Sequence, residues 1–139
     1  MKQLQTRLAL GFSALAAFCM TAAGSASDLA QFRTPSGNIG CGYYASTLRC
    51  DVVGGLQPPP PRTERCELDW GGGYYLKQHG KADIVCAGDT ALDRSAPIVR
   101  YGSTWRRGAI ICNSSPNGLR CTNADHHGFL ISKGEAYRF

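Results

Sequence analysis

After its N-terminal segment the chain carries apolar residues only in short runs, many alternating with polar ones and each ended by glycine, proline, serine or asparagine. No eleven-residue window there shows the i, i+3, i+4, i+7 stripe of an amphipathic helix, whereas alternation bounded by turn residues predicts strands. "AQFRT" (30–34) reads as a short first strand with Phe32 facing inward, and "TPSGN" turns the chain at Pro35 and Gly37. "NIGCGY" (38–43) and "TLRCDVV" (47–53) then form a hairpin. The four prolines of "QPPPPRTER" (57–65) exclude both strand and helix, so this stretch is expected to run extended over the surface. Gly71 to Gly73 mark a turn or a bulge, and "YYLK" and "ADIVC" are strands around "QHGK". "GDTALDRSAPIVRYG" is expected to be mostly loop, with a brief extended piece from Ile98 to Tyr101. "WRRGAIIC" and "GLRCTN" pair as a last hairpin, and "GFLIS" and "AYRF" end the chain as strands around "KGE". Eight to ten short strands place the chain in the all-β class, as a small disulfide-bridged sandwich or partly open barrel of antiparallel strands.

The beginning of the chain follows a different pattern. Lys2 and Arg7 precede the apolar run Leu8 to Met20, which is too short to span a bilayer, and "TAAGSAS" supplies small residues. This is the three-part pattern of a secretory signal, with cleavage expected after Ala26. A lipoprotein signal using Cys19 is disfavoured by Phe18, which stands where a small residue is needed. Residues 1–26 are thus read as a signal peptide and 27–139 as a single β domain, secreted or periplasmic, with no membrane span after cleavage. Loss of Lys2 and Arg7 takes the basic residues from 15 to 13 against 10 acids, a net charge of +3. The basic residues are scattered, densest at Arg100, Arg106 and Arg107, rather than gathered in the stripe a nucleic-acid partner would need.

With Cys19 removed, six cysteines remain: Cys41, Cys50, Cys66, Cys86, Cys112 and Cys121. An even number in an exported chain implies a disulfide framework, for which six cysteines allow 15 connectivities. An internal repeat narrows the choice. "GNIGCGYYASTLRC" and "GAIICNSSPNGLRC" both read G-x-I-x-C, six residues, L-R-C. In the second copy Pro116 presets the turn, Asn117 suits the next position and Gly118 can take positive φ; the first copy has weaker turn chemistry at the same spacing. Two strands meeting across such a turn bring their cysteines within bridging distance. The expected pairs are Cys41–Cys50 and Cys112–Cys121, which leaves Cys66–Cys86.

The phrases "FRTPSGNIGC", "LRCDV", "VCAGDT", "YGSTWRRGAIICNSSPNGLRCTN" and "HGFLIS…YRF" resemble the blocks of DUF6636, a family of bacterial exported domains of unknown function. The resemblance runs from Phe32 to Phe139. It implies an exported, cysteine-bridged domain and carries over no catalytic or ligand residue.

"CTNADHHGF" (121–129) is the densest cluster of chemically able residues. Zinc would need Cys121 as thiolate with His126 or His127. Cys121 has a disulfide partner, however, and neighbouring residues of an extended segment face opposite ways. No C-x-x-C or H-x-x-x-H pair completes a set, so the cluster is read as the edge of a strand. Asp125 and His127 sharing a face keep a surface metal site as the alternative. Ser132, His127 and Asp89 can be combined into a triad, as such residues can in almost any chain, and there is no G-x-S-x-G elbow. The acids Asp89 and Asp93, and Glu67 and Asp69, are read as loop turn-formers, Asp89 as an Asx turn. "WGGGYY" lacks the lysine-serine ending of a phosphate loop. Trp70, Tyr74 and Tyr75 are assigned to the core, with stacking on a sugar ring or a partner as the alternative. An Asn-x-Ser match at Asn113 is set aside.

The chain is accordingly expected to be non-enzymatic, structural or interaction-mediating, with no catalytic, cofactor-binding or metal residues and no cofactor. Its expected partner is a protein or envelope component, not nucleic acid. The alternative is an inhibitor of an envelope or extracellular hydrolase. A bridge closing about ten residues contributes roughly 2.5 kcal/mol and one closing about twenty roughly 3 kcal/mol on the chain-entropy account. Together these rival the roughly 5–15 kcal/mol of a whole domain. Dithiothreitol is therefore expected to unfold the protein, followed by near-UV circular dichroism; an unchanged spectrum with six alkylatable thiols would contradict the framework.

Overall fold

A computed structural model describes residues 30–139. The expected signal peptide, Cys19 and the cleavage position after Ala26 lie outside these residues. Among the described residues there is no helix, and ten strands form two antiparallel sheets that do not close into a barrel. The first sheet is a meander of β1 (Gln31–Arg33), β2 (Ile39–Tyr44), β3 (Thr47–Val52), β4 (Trp70–Lys77) and β5 (Asp83–Cys86). The second repeats this order with β6 (Thr104–Arg107), β7 (Ile110–Ser115), β8 (Gly118–Thr122), β9 (Gly128–Ile131) and β10 (Ala136–Arg138). The all-β expectation holds, and the sandwich form is the one adopted.

The sequence repeat governs the register. In β2–β3 Cys41 faces Cys50, and in β7–β8 Cys112 faces Cys121, with Cα separations of 4.1 and 4.0 Å. Facing cysteines put both sulfurs on one side of the sheet, and all four are buried between the two sheets. On the outer flank of each pair stands an aromatic ring, Phe32 opposite Cys41 and Trp105 opposite Cys112. On the inner flank stand Tyr74 opposite Cys50 and Phe129 opposite Cys121. Each ring meets its counterpart across the sandwich: Phe32 and Trp105 centroids lie 5.0 Å apart, Tyr74 and Phe129 5.3 Å apart. Like meeting like is the arrangement of two copies related by a pseudo-two-fold axis. Leu48, Leu76, Ile110, Leu119 and Ile131 fill the space around these rings. The third disulfide, Cys66–Cys86, ties the proline-rich connection to the edge strand β5.

Several local expectations need correction. Gly71 to Gly73 do not precede the strand but lie within β4; of the turn or bulge expected there it is the bulge that fits, as a register shift against β5 between Trp70 and Tyr74. "WRRGAIIC" is two strands, β6 and β7, because Gly108 at φ 56° turns the chain within it. From Ile98 to Tyr101 the extended piece shrinks to one bridge between Ile98 and Arg33.

Two glycines at equivalent places show how closely the sheets are packed. A Cβ on Gly73 would collide with the Cys50 carbonyl oxygen, and one on Gly128 with the Cys121 carbonyl oxygen. At Gly42, in the same sheet as Gly73, a Cβ would meet nothing within 4 Å. Gly73→Ala and Gly128→Ala are expected to cost about 3 kcal/mol or more, since backbone must move to admit the methyl group. Gly42→Ala is expected to be neutral or to stabilise by about 0.5–1 kcal/mol through lost chain entropy. Urea midpoints of the three oxidised variants check this ordering.

Candidate functional site

The outward faces of the two sheets differ, and the difference begins with one residue. The repeat places arginine before the second cysteine in each copy, Arg49 and Arg120. The residue after that cysteine is Asp51 in the first copy and Thr122 in the second. Asp51 is charged yet only 3% exposed. Arg49 grips it in a fork, Nε donating to Oδ1 at 3.0 Å and Nη2 to Oδ2 at 2.7 Å. Asp51 Oδ2 also accepts from the Thr90 hydroxyl at 3.1 Å and the Ala91 backbone N–H at 2.8 Å. A carboxylate so buried is stable only because its oxygens are matched.

These bonds fasten residues 87–97, the strap leading from β5 towards the second sheet, onto the outer face of the first. Arg49 Nη1 donates to Asp89 Oδ1 at 2.7 Å and Nη2 to the Asp89 carbonyl at 2.6 Å. At Gly40 the strap comes so close that a Cβ would stand 2.7 Å from the Ala91 oxygen. The strap then bonds along β1, the Arg33 N–H donating to Pro97 O and the Val99 N–H to Arg33 O, both at 2.9 Å.

Register shows what the strap leaves open. It covers the cross-strand row Arg33, Gly40, Asp51, Gly73. The next row, Gln31, Gly42, Arg49, Tyr75, is the floor of a groove of about 860 Å³. Asp89, Thr90, Ala91 and Pro97 border the groove from the strap, and Tyr44, Ala45 and Thr47 from the β2–β3 turn. That turn is strained: Ala45 at φ 47° and Ser46 at φ 62° both occupy the left-handed region, where asparagine and glycine are preferred. Beside it Tyr44 is 87% exposed.

The electrostatics of the groove centre on Arg49. Burial alone would lower the Arg49 pKa, but its hydrogen bonds to Asp51 and Asp89 outweigh burial and push it up. The hydrogen bond from Arg49, and then its charge, hold Asp89 below the usual carboxylate range. Both groups are therefore ionised at neutral pH, and the one guanidinium is shared between two carboxylates.

"CTNADHHGF" is the end of β8, a turn and the start of β9, not an extended edge. His126 sits at φ 62°, so the turn rather than strand alternation separates it from His127. Cys121 is bridged to Cys112. His127 Nδ1 lies 3.2 Å from the Phe139 carbonyl. Asp125 does not pair with His127: its Oδ1 lies 3.0 Å from His79 Nδ1, and its Oδ2 accepts from the Gly80 N–H at 2.8 Å. Those bonds, that of His79 first, lower its pKa and lock the β4–β5 turn to the β8–β9 turn. Among the described residues no group of three or more His, Cys, Asp or Glu is placed to hold a metal ion. Ser132 donates to the Glu135 carbonyl at 2.9 Å and Asp89 holds Arg49, so Ser132, His127 and Asp89 belong to three separate sites. Asp89 makes an ion pair instead of an Asx turn, whereas Asp93 is a turn-former, accepting from the Ser95 N–H at 2.8 Å. Only Tyr74 of the three aromatic residues is core; Trp70 donates to the Pro61 carbonyl at 3.0 Å and Tyr75 faces the groove. Arg107 lies over the Tyr43 ring at 5.3 Å while Arg106 is exposed, so the basic cluster does not converge.

Arg49, Asp51, Gly42 and Tyr44 were not singled out from sequence. The signal lay in the repeat, at the outward positions where the copies disagree: Gly42 against Asn113, Tyr44 against Ser115, Asp51 against Thr122.

Compared with known proteins, residues 11–139 match the family described as "Family of unknown function (DUF6636)". No curated protein sequence and no solved structure matches the chain. The three disulfides suit a domain that works in an oxidising compartment. Among the described residues no helix is long and apolar enough to cross a membrane.

Asp51→Asn keeps the shape of the side chain and removes its charge. It is expected to cost about 3 kcal/mol, because the Arg49 guanidinium loses its buried partner. The Ala91 amide should then exchange with deuterium faster than core amides such as that of Leu48. Unchanged protection at Ala91 would show that the strap is held by something else.

Proposed function

The chain belongs to the DUF6636 family, and from that premise we propose that it is an exported, non-enzymatic binding domain whose contact surface is the groove over Gly42. The observation that carries this reading is a preformed concavity, walled by a strap that buried Asp51 pins in place, beside a tyrosine that is 87% exposed. Its volume of about 860 Å³ falls within the roughly 300–1,000 Å³ of small-molecule and ligand sites. Preformed walls favour binding because little ordering entropy is lost when a partner arrives. A non-catalytic role is supported by the partners of the polar side chains: Arg49 and Asp89 hold one another, and the triad candidates are dispersed. Export, to the periplasm or beyond the cell, is supported by the signal-like residues 1–26 and by three bridges that need oxidising surroundings.

A second reading, inhibition of an envelope or extracellular hydrolase, is favoured by the same turn seen as a projection. Tyr44 stands at a two-residue tip braced by the Cys41–Cys50 bridge, and a rigid exposed side chain suits insertion into a specificity pocket.

The oxidised protein is expected to be retained on cell-envelope preparations from the producing organism. Gly42→Trp and Tyr44→Ala, matched for folded fraction by circular dichroism, should each retain at least about ten-fold less, a change of roughly 1.4 kcal/mol. Equal retention of all three proteins would remove the groove from the account. A hydrolase inhibited on titration with the native protein but not with Tyr44→Ala would favour the second reading instead.

A further inference from the structure

We propose that the groove over Gly42 takes a short neutral oligosaccharide; this rests on the groove being the contact surface. Charge is the first discriminator. Among the described residues Arg49 is the only cation lining the groove and Asp89 its only anion, and they are paired at 2.7 Å. Arg49 is matched a second time by Asp51 at 2.7 Å. A phosphate, a sulfate or a carboxylate-rich ligand therefore meets a single guanidinium already shared by two carboxylates, and no unmatched positive charge. The floor is the face of the sheet, with β1, β2, β3 and β4 already hydrogen-bonded side by side, so a ligand lying on it meets side chains and not a strand edge; the outer edge of β1 is taken at Arg33 by Pro97 and Val99.

A sugar has the chemistry that remains. Its C–H face packs on an aromatic ring, and its adjacent hydroxyl groups each donate and accept, which suits planar groups held in fixed orientation. The groove supplies both. The Tyr44 ring is largely bare and Tyr75 forms part of the floor. The Asp89 side chain is 83% exposed although its Oδ1 is held by Arg49, so the carboxylate is oriented and still able to accept. Arg49 has five N–H donors and uses four of them, one from Nε, one from Nη1 and two from Nη2, which leaves one on Nη1. The Gln31 amide and the Thr47 hydroxyl stand in the same lining. Gly42 leaves the centre of the floor bare, the room a flat ring needs.

The strained turn is the second, independent observation. Two consecutive non-glycine residues at positive φ cost on the order of 1–3 kcal/mol each, and such strain gathers at ligand sites. Here it sets the position of Tyr44 at the rim. The second copy of the repeat turns at Pro116 and Asn117 with glycine taking the positive φ, and it carries Ser115 where the first carries Tyr44.

The test is amide chemical-shift mapping of the oxidised full domain with chitohexaose, cellohexaose and maltohexaose, each to about 10 mM. A heparin fragment of equal length serves as the anionic comparison. Saturable shifts at Gly42, Tyr44, Tyr75 and Asp89 with at least one neutral hexamer are expected, weakened ten-fold or more by Tyr44→Ala, which removes only an exposed side chain, and by Gly42→Trp. Shifts confined to other surfaces, or heparin binding the groove in preference to every neutral sugar, would overturn the assignment. So would silence from all three sugars. If envelope retention still depends on Gly42 and Tyr44 in that event, the sugar class fails and the groove stands; if retention does not depend on them, both fail together.

Discussion

Two disulfides joining directly opposed residues on neighbouring strands hold this molecule to a single register. Because Cys41 faces Cys50 and Cys112 faces Cys121, neither hairpin can slip. A slip by one residue would send every inward side chain of the strand to solvent. The bridges also determine what lies beside them. Phe32, Tyr74, Trp105 and Phe129 each sit opposite one of these cysteines, and the four rings meet in two pairs at the centre of the sandwich. A domain this small has limited apolar surface to bury, and covalent links between opposed strands make up for part of what a larger core would contribute.

The candidate site arises where the pseudo-symmetry breaks. Inward positions of the two copies carry matching residue types because they share one interior: Ile39 and Ile110, Leu48 and Leu119. Outward positions are free of that constraint. In the first copy the outward face has an aspartate that binds the connecting strap and two glycines, Gly40 and Gly42, that leave room for the strap and the groove. In the second, Arg120 has no such aspartate and lies instead over the Phe139 ring at 4.1 Å. The same L-R-C phrase thus serves two ends, and the single residue that follows it decides which.

Contacts between the halves are polar as well as aromatic, and they come from residues that no motif advertises. Asn123 Nδ2 donates to the carbonyls of Lys77 and Gly80 at 3.0 and 2.7 Å. Gln78 Oε1 accepts from the Ala109 N–H at 2.6 Å while its Nε2 donates to the Tyr43 hydroxyl at 2.9 Å. The Asn123 and Ala109 bonds cap turns of one half with side chains from the other, while the Tyr43 bond, within the first half, holds the Gln78 amide in place. Asn123, together with Asp125 on His79 and Gly80, makes the histidine-rich stretch, which suggests chemistry when read in line, a fastening between two turns.

Elements with local causes were legible in the chain itself. Alternation and turn residues marked the strands, Pro116 to Gly118 the second hairpin turn, and the repeated cysteine spacing the two hairpins, because each depends on residues a few positions apart. Where the local account was incomplete, distant partners intervened: Tyr75 and Tyr74 could not share a face once β4 formed, and Asp89 gave up an Asx turn for an arginine forty residues away. The groove could not be read in line at all. Its floor comes from four strands and its wall from a strap, and they meet only because a buried carboxylate at Asp51 must find donors wherever the fold brings them. Sequence alone determined the class, the strand pattern and the sulfur framework, since backbone sterics and spacing act locally; tertiary packing decided the site, since matching a buried charge is a requirement of the assembled interior.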